Sequence, residues 1–315
     1  MKAIILAAGF GIRMKPLSDR CPKPLLPVLG RPIIDYTISR LKTFGVKAIG
    51  VNICHLADKM QKYLGNGSRW GVDITLSREQ EILGTGGGMG GFRSFLLGEE
   101  AFLVNNGDVL STIALDGLVT AHAEHKPMVT MALCDYRPKN NVSLSLDNTI
   151  VDFLGRLKKF KPGIDRKLTF TGVSMVSEEV LNIIPPGIPS NIIDIYLELI
   201  KRKPGSINGY VVSGDDWMDI GTPSAYLGVH KDILLGQRLP LFIDEMLDGS
   251  VYKGVGTRIE PGARLEGFVS LGNNCLVERE AFLKNCVVWD NTLVKAGASF
   301  DNGVIDGDWQ YSLPV

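Results

Sequence analysis

Cysteine, histidine and long apolar runs are scarce in this sequence of 315 residues, and neither sign of charge is in excess. The five cysteines are widely spaced, which favours free thiols over a disulfide framework or a zinc site and is typical of a cytoplasmic protein. No apolar run is as long as a membrane span, and the stretch 3–8 is too short for a signal peptide, so we expect no membrane partner. The 34 basic residues balance 34 acidic ones, which predicts no nucleic-acid partner.

The first two-thirds of the sequence alternates short apolar runs with segments of helical periodicity. This alternation predicts βαβ units, and therefore an α/β domain with a Rossmann-like, mostly parallel sheet. The predicted strands are Lys2–Leu6, Ala48–Ile53, Val72–Leu76, Phe102–Asn105 and Met128–Leu133, and the predicted helices lie near Ile33–Phe44, Asp58–Leu64, Gly87–Leu97 and Leu115–Glu124. Because such sheets bind ligands beyond the carboxyl ends of their strands, the loops after Leu6 and Asn105 and the segment 79–88 are the places to search.

The last quarter of the sequence has a period of six residues. One inward-facing series is predicted to comprise Ile259, Leu265, Leu271, Val277, Leu283 and Trp289, and a second Ala263, Val269, Cys275, Ala281, Val287 and Leu293. Hexapeptide repeats are typical of a parallel β-helix, whereas antiparallel strands would give a period of two. We expect a short C-terminal left-handed parallel β-helix over 239–315, after a catalytic domain over 1–238. A helix over Pro223–Leu235 and a linker at 236–240 would join the two.

A glycine-containing loop with basic residues follows the first predicted strand. Small residues at 7–11 let backbone amides approach a ligand, and residues 1–32 carry six lysines and arginines against one aspartate. Lys23 stands between two prolines, which restrict its backbone. A triphosphate needs such backbone donors and cations as pyrophosphate leaves. The segment lacks the Gly-Lys-Ser/Thr of a Walker A loop, and Met14 stands where a dinucleotide fingerprint has glycine.

The segment LAAGFGIRMKPLSDRCPKPLLPV resembles the signature of the nucleotide-sugar pyrophosphorylase family, in which Gly-x-Gly-x-Arg precedes Pro-Leu-Thr and then Pro-Lys-Pro. Met14 and Ser18 depart mildly from the usual leucine and threonine, and neither change removes a charged group. The resemblance implies that Arg13 contacts the phosphates of a nucleoside triphosphate and that Lys23 binds phosphate at the reacting centre. It also implies that nucleotide contacts come from Leu6, Ala7, Ala8, Gly9 and Gly11.

Four further motifs follow in the family's order. EQEILGTGGG resembles the base-recognition loop, which implies nucleotide contacts from Glu79, Gly84 and Thr85. VNNGDV and WMDIGTP resemble the segments that supply metal-binding aspartates, here Asp108 and Asp219, and FTGVSMV resembles the strand that lines the sugar pocket, which implies sugar contacts from Asn106, Thr171 and Gly172. The branch with mannose-1-phosphate guanylyltransferases and N-acetylmuramate-1-phosphate uridylyltransferases is the most similar. The usual Glu-Lys-Pro is missing, and Lys158, Lys159 or Lys161 could bind the sugar phosphate.

Three acidic residues carry a physical argument of their own. Asp108 and Asp219 each follow a short apolar run, and a pair of carboxylates suits Mg²⁺, although either residue could instead cap a turn or a helix. An ionised carboxylate at Glu79 accepts but cannot donate hydrogen bonds. It therefore suits guanine or uracil, or it is a solvated loop residue.

The resemblance implies transfer of a nucleoside monophosphate from an NTP, with GTP or UTP favoured, to a sugar 1-phosphate, with Mg²⁺ as cofactor. We also expect a homo-oligomer, since hexapeptide coils pack against neighbouring surfaces. Two alternatives stand beside this reading. A catalytically inactive regulatory subunit would share the fold. An acyltransferase acting through the β-helix would need a histidine in the coil, and all four histidines precede it.

Overall fold

A computed structural model describes residues 1–157, 164–236 and 249–313. The chain forms two compact units, the first from Met1–Phe10 and Thr37–Trp217 and the second from Gly11–Tyr36 and Met218–Val315. Across the described ranges, no helix combines the length and apolar character needed to cross a membrane. All five cysteines are free thiols, as predicted.

The strands are β1 (Ala3–Leu6), β2 (Pro27–Val28), β3 (Arg31–Pro32), β4 (Ala48–Ile53), β5 (Asp73–Arg78), β6 (Ala101–Asn106), β7 (Leu110–Ser111), β8 (Val129–Cys134), β9 (Val142–Leu144), β10 (Ile150–Phe153), β11 (Arg166–Ser177), β12 (Ile207–Val211), β13 (Trp217–Met218), β14 (Val251–Lys253), β15 (Arg258–Ile259), β16 (Arg264–Leu271), β17 (Leu276–Val277), β18 (Phe282–Val288), β19 (Leu293–Val294), β20 (Ser299–Asp306) and β21 (Trp309–Ser312). The α-helices are α1 (Leu17–Arg20), α2 (Ile33–Thr43), α3 (Ala57–Leu64), α4 (Gly84–Gly90), α5 (Arg93–Leu96), α6 (Leu115–His125), α7 (Ile192–Arg202) and α8 (Pro223–Leu234). Short 3-10 helices cover Ile12–Met14, Lys23–Leu25, Ser68–Trp70, Arg137–Lys139, Glu178–Ile183 and Gly214–Asp216.

The first unit is built on one large sheet. Strands β6, β1, β4 and β5 lie side by side and run parallel, with β1 between β6 and β4. The long strand β11 runs antiparallel to both β6 and β8, and β12 continues the sheet parallel to β8. The prediction of an α/β unit with a mostly parallel sheet is confirmed. The strand expected at 170–176 forms part of β11, whose reversed direction was not predicted. Apolar residues of the sheet and of α7 form its core.

The predicted elements of this unit agree with the structure to within two residues, with one exception. The helical pattern at 87–97 is split into α4 and α5, which are separated at Gly91 and Phe92. Six of the eight residues at 84–91 are glycines, and glycine weakens a long helix because its backbone loses more freedom on folding.

The second unit contains successive parallel strands that repeat along the chain. Strands β14, β16, β18 and β20 pair in parallel order, and β15, β17 and β19 form a second parallel sheet. Val251 is opposite Val269 and Ile259 is opposite Val277, a step of 18 residues, which is three hexapeptides. The spacing of the strands therefore follows the predicted repeat.

The register slips by one residue in β18. Glu266 is opposite Lys284, but Val269 is opposite Cys286, so one residue of β18 faces two of β16. Residues predicted to point inward, as far along the chain as Leu283, pack in or against the core. Trp289, Val287 and Leu293 do not join it, whereas Val294 does. The slip moves each inward position back by one residue, so Val288 and Cys286 take the places of Trp289 and Val287, and the buried Thr292 that of Leu293. The inward assignments of Trp289, Val287 and Leu293 are therefore wrong, because the later steps have 17 residues instead of 18.

The predicted domain boundary between 238 and 239 lies outside the described residues. Helix α8 ends at Leu234, one residue before its predicted end. The described part of the second unit also includes residues 11–36, which carry Arg13 and Lys23.

The slip can be tested with two adjacent substitutions. Val294 is buried at 4% exposure, whereas Leu293 is 45% exposed. Val294→Asp should therefore lower the free energy of unfolding by about 3 kcal/mol or more, because it buries an unpaired charge, and Leu293→Asp should change it by less than about 1 kcal/mol. Urea unfolding measures both. Equal losses of stability in the two variants, or a greater loss for Leu293→Asp, would support the unbroken six-residue register instead.

Candidate active site

The carboxyl edge of the first unit's sheet gathers the ends of four parallel strands. Ala7 follows β1, Asn52 stands near the end of β4, Glu79 follows β5 and Asp108 follows β6 by two residues. Residues from distant parts of the sequence meet here because parallel strands all end at the same edge. The loops identified from the sequence are therefore brought together within one unit.

A buried chain of hydrogen bonds links these loops. The amide of Ala7 donates to Asn52 Oδ1 (2.7 Å), and Asn52 Nδ2 donates to Glu79 Oε1 (2.7 Å). The amide of Leu83 donates to Glu79 Oε2 (2.9 Å). Asn52 and Glu79 are only 3% and 7% exposed. Glu79 is thus a buried residue that organises its own loop, and the reading of it as a solvated loop glutamate is wrong.

Sequence reasoning missed Asn52, although a signal was present. It is a polar residue inside the apolar strand β4, where every other residue is apolar or glycine. Both ends of its side-chain amide are used, so it accepts from one predicted loop and donates to another. Gly88 leaves room for it, because a Cβ at that position would lie 2.5 Å from Asn52 Nδ2.

The predicted base-recognition loop docks on Ser190. Gly84 has φ +70°, and a Cβ there would lie 2.6 Å from the carbonyl oxygen of Ser190. Both the backbone conformation and the lack of space for a side chain therefore require glycine at this position. The amide of Gly86 donates to the same carbonyl (2.8 Å). The hydroxyl of Thr85 accepts from the amide of Ile192 (3.0 Å), which fixes the loop to the start of α7. The predicted nucleotide contacts of Gly84 and Thr85 stay predictions.

Asp108 emerges from a closely packed strand end. The amide of Gly107 donates to the carbonyl of Leu6 (2.8 Å), and a Cβ on Gly107 would lie 2.9 Å from Cβ of Ala7. The loop of Asp108 and the start of the glycine loop therefore touch. Asp108 is half-buried, and its predicted role as a metal ligand stays a prediction.

The three predicted sugar-binding residues also lie together. Gly172 has φ +84° at an irregularity of β11, and a Cβ there would lie 2.9 Å from Asn106 Nδ2. The hydroxyl of Thr171 donates to the carbonyl of Ala132 (2.8 Å), and its own carbonyl accepts from the indole of Trp217 (2.9 Å). Thr171 is buried, and its hydroxyl is already hydrogen-bonded within the protein. Asn106 is therefore the half-buried polar side chain of this group.

In the second unit, Gly11 organises the loop that carries Arg13. Gly11 has φ +62°, and its carbonyl accepts from the amide of Met14 (2.8 Å) and from the hydroxyl of Ser18 (2.9 Å). A Cβ on Gly11 would lie 3.0 Å from Cβ of Ser18 and 3.6 Å from Cβ of Lys23. The serine that replaces the family's usual threonine thus has a structural partner, and Lys23 lies close to the glycine loop.

Asp219 and Arg13 lie on either side of one glycine. A Cβ at Gly221 would be 3.0 Å from Asp219 Oδ1 and 3.3 Å from Arg13 Nη1. Thr222 caps α8 through a bond from the amide of Ala225 (3.2 Å), and Pro223 occupies the helix's first position. The motif around Asp219 therefore combines a helix start with a carboxylate and a cation.

The metal prediction is compatible with these residues. No cluster of three or more histidine, cysteine, aspartate or glutamate side chains suited to a metal occurs in the part of the chain that the structure describes. Mg²⁺ needs fewer protein ligands, because it keeps several waters and binds substrate phosphates. Lys158, Lys159 and Lys161, the candidates for the sugar phosphate, lie outside the described residues.

The fold and these loops define an α/β protein with its candidate site at the carboxyl edge of a parallel sheet. The chain belongs to the nucleotidyl transferase family, whose model matches residues 2–235. It is 33% identical to an N-acetylmuramate alpha-1-phosphate uridylyltransferase of Neisseria meningitidis serogroup B, over 70% of this chain and 94% of that protein. It is 28% identical to a mannose-1-phosphate guanylyltransferase of Mycobacterium tuberculosis, over 94% of this chain and 81% of that protein.

A solved structure supports the fold. A protein of Bacillus anthracis named as a candidate glucose-1-phosphate thymidylyltransferase superposes with a TM-score of 0.63 at 23% identity. The match covers 73% of this chain and 93% of that one. This likeness shows a shared fold over that part of the chain.

The hydrogen-bond chain predicts a large effect at Asn52. Asn52→Ala should lower the free energy of unfolding by about 3 kcal/mol, because it leaves the buried amide of Ala7 and one buried carboxylate oxygen of Glu79 without partners. Urea unfolding measures the loss. Asn182→Ala, at an exposed asparagine, is the matched control and should stay within about 0.5 kcal/mol of the unsubstituted protein. Equal stability of the two variants would contradict the role given to Asn52.

Proposed function

We propose that this protein transfers a nucleoside monophosphate from an NTP to a sugar 1-phosphate, giving an NDP-sugar and pyrophosphate. The observation that carries the proposal is the meeting of the glycine loop, the Glu79 loop and Asp108 at one sheet edge, in a chain of the nucleotidyl transferase family. The names of its relatives supply the substrate class, since both act on sugar 1-phosphates. No observation favours the inactive-subunit alternative.

Phosphate binding is assigned to the glycine loop and two cations. Backbone amides of residues 8–11 approach the triphosphate, as the small side chains there allow, whereas the amide of Ala7 is already bonded to Asn52 Oδ1. Arg13 stabilises charge on the departing pyrophosphate, and Lys23 binds phosphate at the reacting centre. The oxygen of the sugar phosphate attacks the α-phosphorus in line, and the bond to the pyrophosphate oxygen breaks.

Asp108 and Asp219 are proposed as the Mg²⁺ ligands. Both are half-buried carboxylates, and Asp219 packs closely beside Gly221, where a Cβ would lie 3.0 Å from Asp219 Oδ1. This all-oxygen donor set fits Mg²⁺, which favours one or two carboxylates together with phosphate oxygens and water. When bound, the ion would supply charge neutralisation at the reacting phosphates.

The chain needs no side-chain nucleophile for this reaction, because a sugar phosphate is already an anion. Cys54 is the thiol that follows β4 toward the same edge. Burial, together with the charge of Glu79, raises the pKa of Cys54, which keeps the thiol protonated and weakens it as a nucleophile. Positioning and electrostatics suffice for the transfer.

The base is proposed to be guanine or uracil. Glu79 already accepts one hydrogen bond at each carboxylate oxygen, so its main effect on base choice is to set the backbone of residues 80–84. The relatives include a guanylyltransferase and a uridylyltransferase. GTP and UTP therefore stay the favoured substrates.

Several broader predictions complete the proposal. The repeated strands of the second unit are proposed to form a left-handed parallel β-helix of hexapeptides, on the strength of their register. We retain a homo-oligomer as the expected assembly, and the cytoplasm, where nucleoside triphosphates are abundant, as the expected compartment.

Pyrophosphate release tests the reaction directly. With Mg²⁺, we expect release from GTP or UTP with at least one member of a panel of sugar 1-phosphates. Asp108→Asn should reduce the rate by about 100-fold or more, because a carboxylate proposed to hold Mg²⁺ loses its charge. Asp116→Asn, at an exposed aspartate in the first turn of α6, is the matched control and should keep the full rate. No release from any pair by folded protein would overturn the proposal.

Gly221 offers a test of the Asp219 and Arg13 arrangement that removes neither group. Gly221→Ala places a methyl group against both, so kcat should fall about 10-fold or more by displacement of the two charges. Gly228→Ala is the matched control, because no atom lies within 4 Å of its added Cβ. Comparable rates for the two alanine variants would show that the position of these groups is unimportant.

A further inference from the structure

The segment that carries Lys23 is attached to the repeats of the second unit on both sides of the lysine. On one side, Arg20 Nε donates to Asp306 Oδ2 (2.7 Å), and its guanidinium lies 5.0 Å from the ring centroid of Trp309. Beyond the lysine, Tyr252 covers Gly30, where a Cβ would lie 2.7 Å from the tyrosine hydroxyl. These contacts come from β14, β20 and β21.

The most buried attachment is at the carbonyl oxygen of Pro27. It accepts the hydroxyl proton of Tyr226 (2.5 Å) and the Nε2–H of His230 (3.2 Å). Tyr226 in turn accepts from the indole nitrogen of Trp289 (3.2 Å). Tyr226 and His230 are fully buried on α8, and Trp289 directly follows β18. A continuous path of hydrogen bonds therefore runs from the repeats, through α8, to Pro27.

The register slip in β18 makes this path possible. In the unbroken six-residue pattern Trp289 would fill the interior of the coil, but the slip gives the interior to Val288. Helix α8 packs against β16 and β18, and Trp289 is buried outside the coil's core with its N–H directed to Tyr226. A residue that the repeat pattern assigns to packing thus becomes a hydrogen-bond donor to the helix.

The path keeps one protonation state across the neutral range. Burial raises the pKa of Tyr226 well above its usual value, so its hydroxyl stays a donor. Burial lowers the pKa of His230 to about 3, so the ring is neutral, and its donor to Pro27 is Nε2–H. Neither Tyr226 nor His230 therefore changes charge near neutral pH.

Pro27 is separated from Lys23 by one short turn. The carbonyl of Lys23 accepts from the amide of Leu26 (3.1 Å), and the amide of Leu25 donates to Pro22 (2.8 Å). Prolines on both sides of Lys23 further restrict this turn. A displacement at Pro27 is therefore transmitted to the lysine backbone, because few dihedral angles between them are free to absorb it.

We propose that Trp289, Tyr226 and His230 are positioning residues, which hold the Lys23 turn through Pro27 so that the lysine meets phosphate in the geometry of the reaction. The C-terminal repeats then act on catalysis without contributing a group to the substrate. This inference rests on the role assigned to Lys23 under the proposed function. The competing explanation is that the path only stabilises the second unit.

A double-mutant cycle between Tyr226→Phe and Lys23→Ala separates the two explanations. Tyr226→Phe should lower kcat about 10-fold with little change in the KM for the sugar 1-phosphate, as expected when a group that acts in the transition state is displaced. In the Lys23→Ala background, measured with enzyme in excess, the same change should alter the rate less than about 2-fold, because its effect passes through the lysine. Tyr196→Phe, which changes a fully buried tyrosine of the first unit, is the matched control and should keep kcat.

Hydrogen exchange of the peptide that covers residues 20–30 supplies a readout independent of activity. Tyr226→Phe and Trp289→Phe should each speed exchange there, and Tyr196→Phe should not. A Tyr226→Phe enzyme with unchanged kcat, or an equal loss in both backgrounds of the cycle, would overturn the positioning role. If Lys23→Ala itself keeps full activity, the assignment of Lys23 fails and the inference falls with it. If the unsubstituted enzyme releases no pyrophosphate, the proposed function fails. Hydrogen exchange still tests the attachment in that case, and unchanged exchange at 20–30 in the Tyr226→Phe and Trp289→Phe proteins would overturn it.

Discussion

The buried hydrogen bonds of Asn52 are the constraint on which the candidate site depends. A carboxylate as buried as Glu79 is tolerated only if its oxygens are satisfied, and Asn52 and the amide of Leu83 satisfy them. The other end of Asn52 fixes the amide of Ala7, the first residue of the glycine loop. One side chain near the carboxyl edge of the sheet therefore links the loops proposed for phosphate and for base, and a side chain at Gly88 would collide with it.

Each unit carries residues that the family resemblance assigns to the reaction. Asp108 belongs to the first unit, and Arg13, Lys23 and Asp219 belong to the second. The second unit consists of more than the C-terminal repeats, because residues 11–36 form part of it. A role for the repeats in catalysis then needs no additional ligand site, since the attachment of Pro27 provides a direct route to Lys23.

Much of the fold could be predicted from the sequence, because periodicity reports local burial. The strands that precede Ala7, Glu79 and Asp108 are recognisable as apolar runs, and the loops after them contain most of the proposed site. Two features could not be predicted. A one-residue slip is invisible in a repeat whose positions tolerate many apolar residues, which is why Trp289 was placed inside the coil. The partners of Glu79 were also hidden, since hydrogen bonds between distant residues leave no periodic pattern.

The central claim is that nucleotide passes directly from the NTP to a sugar 1-phosphate, without a bond to the enzyme. Exchange of labelled pyrophosphate into NTP tests it most directly, with and without the sugar 1-phosphate that supports turnover. Direct transfer predicts exchange only when the sugar 1-phosphate is present, since it must form the NDP-sugar that pyrophosphate then attacks. Exchange in its absence would indicate a nucleotidyl-enzyme intermediate, and no exchange under either condition would contradict the assigned reaction.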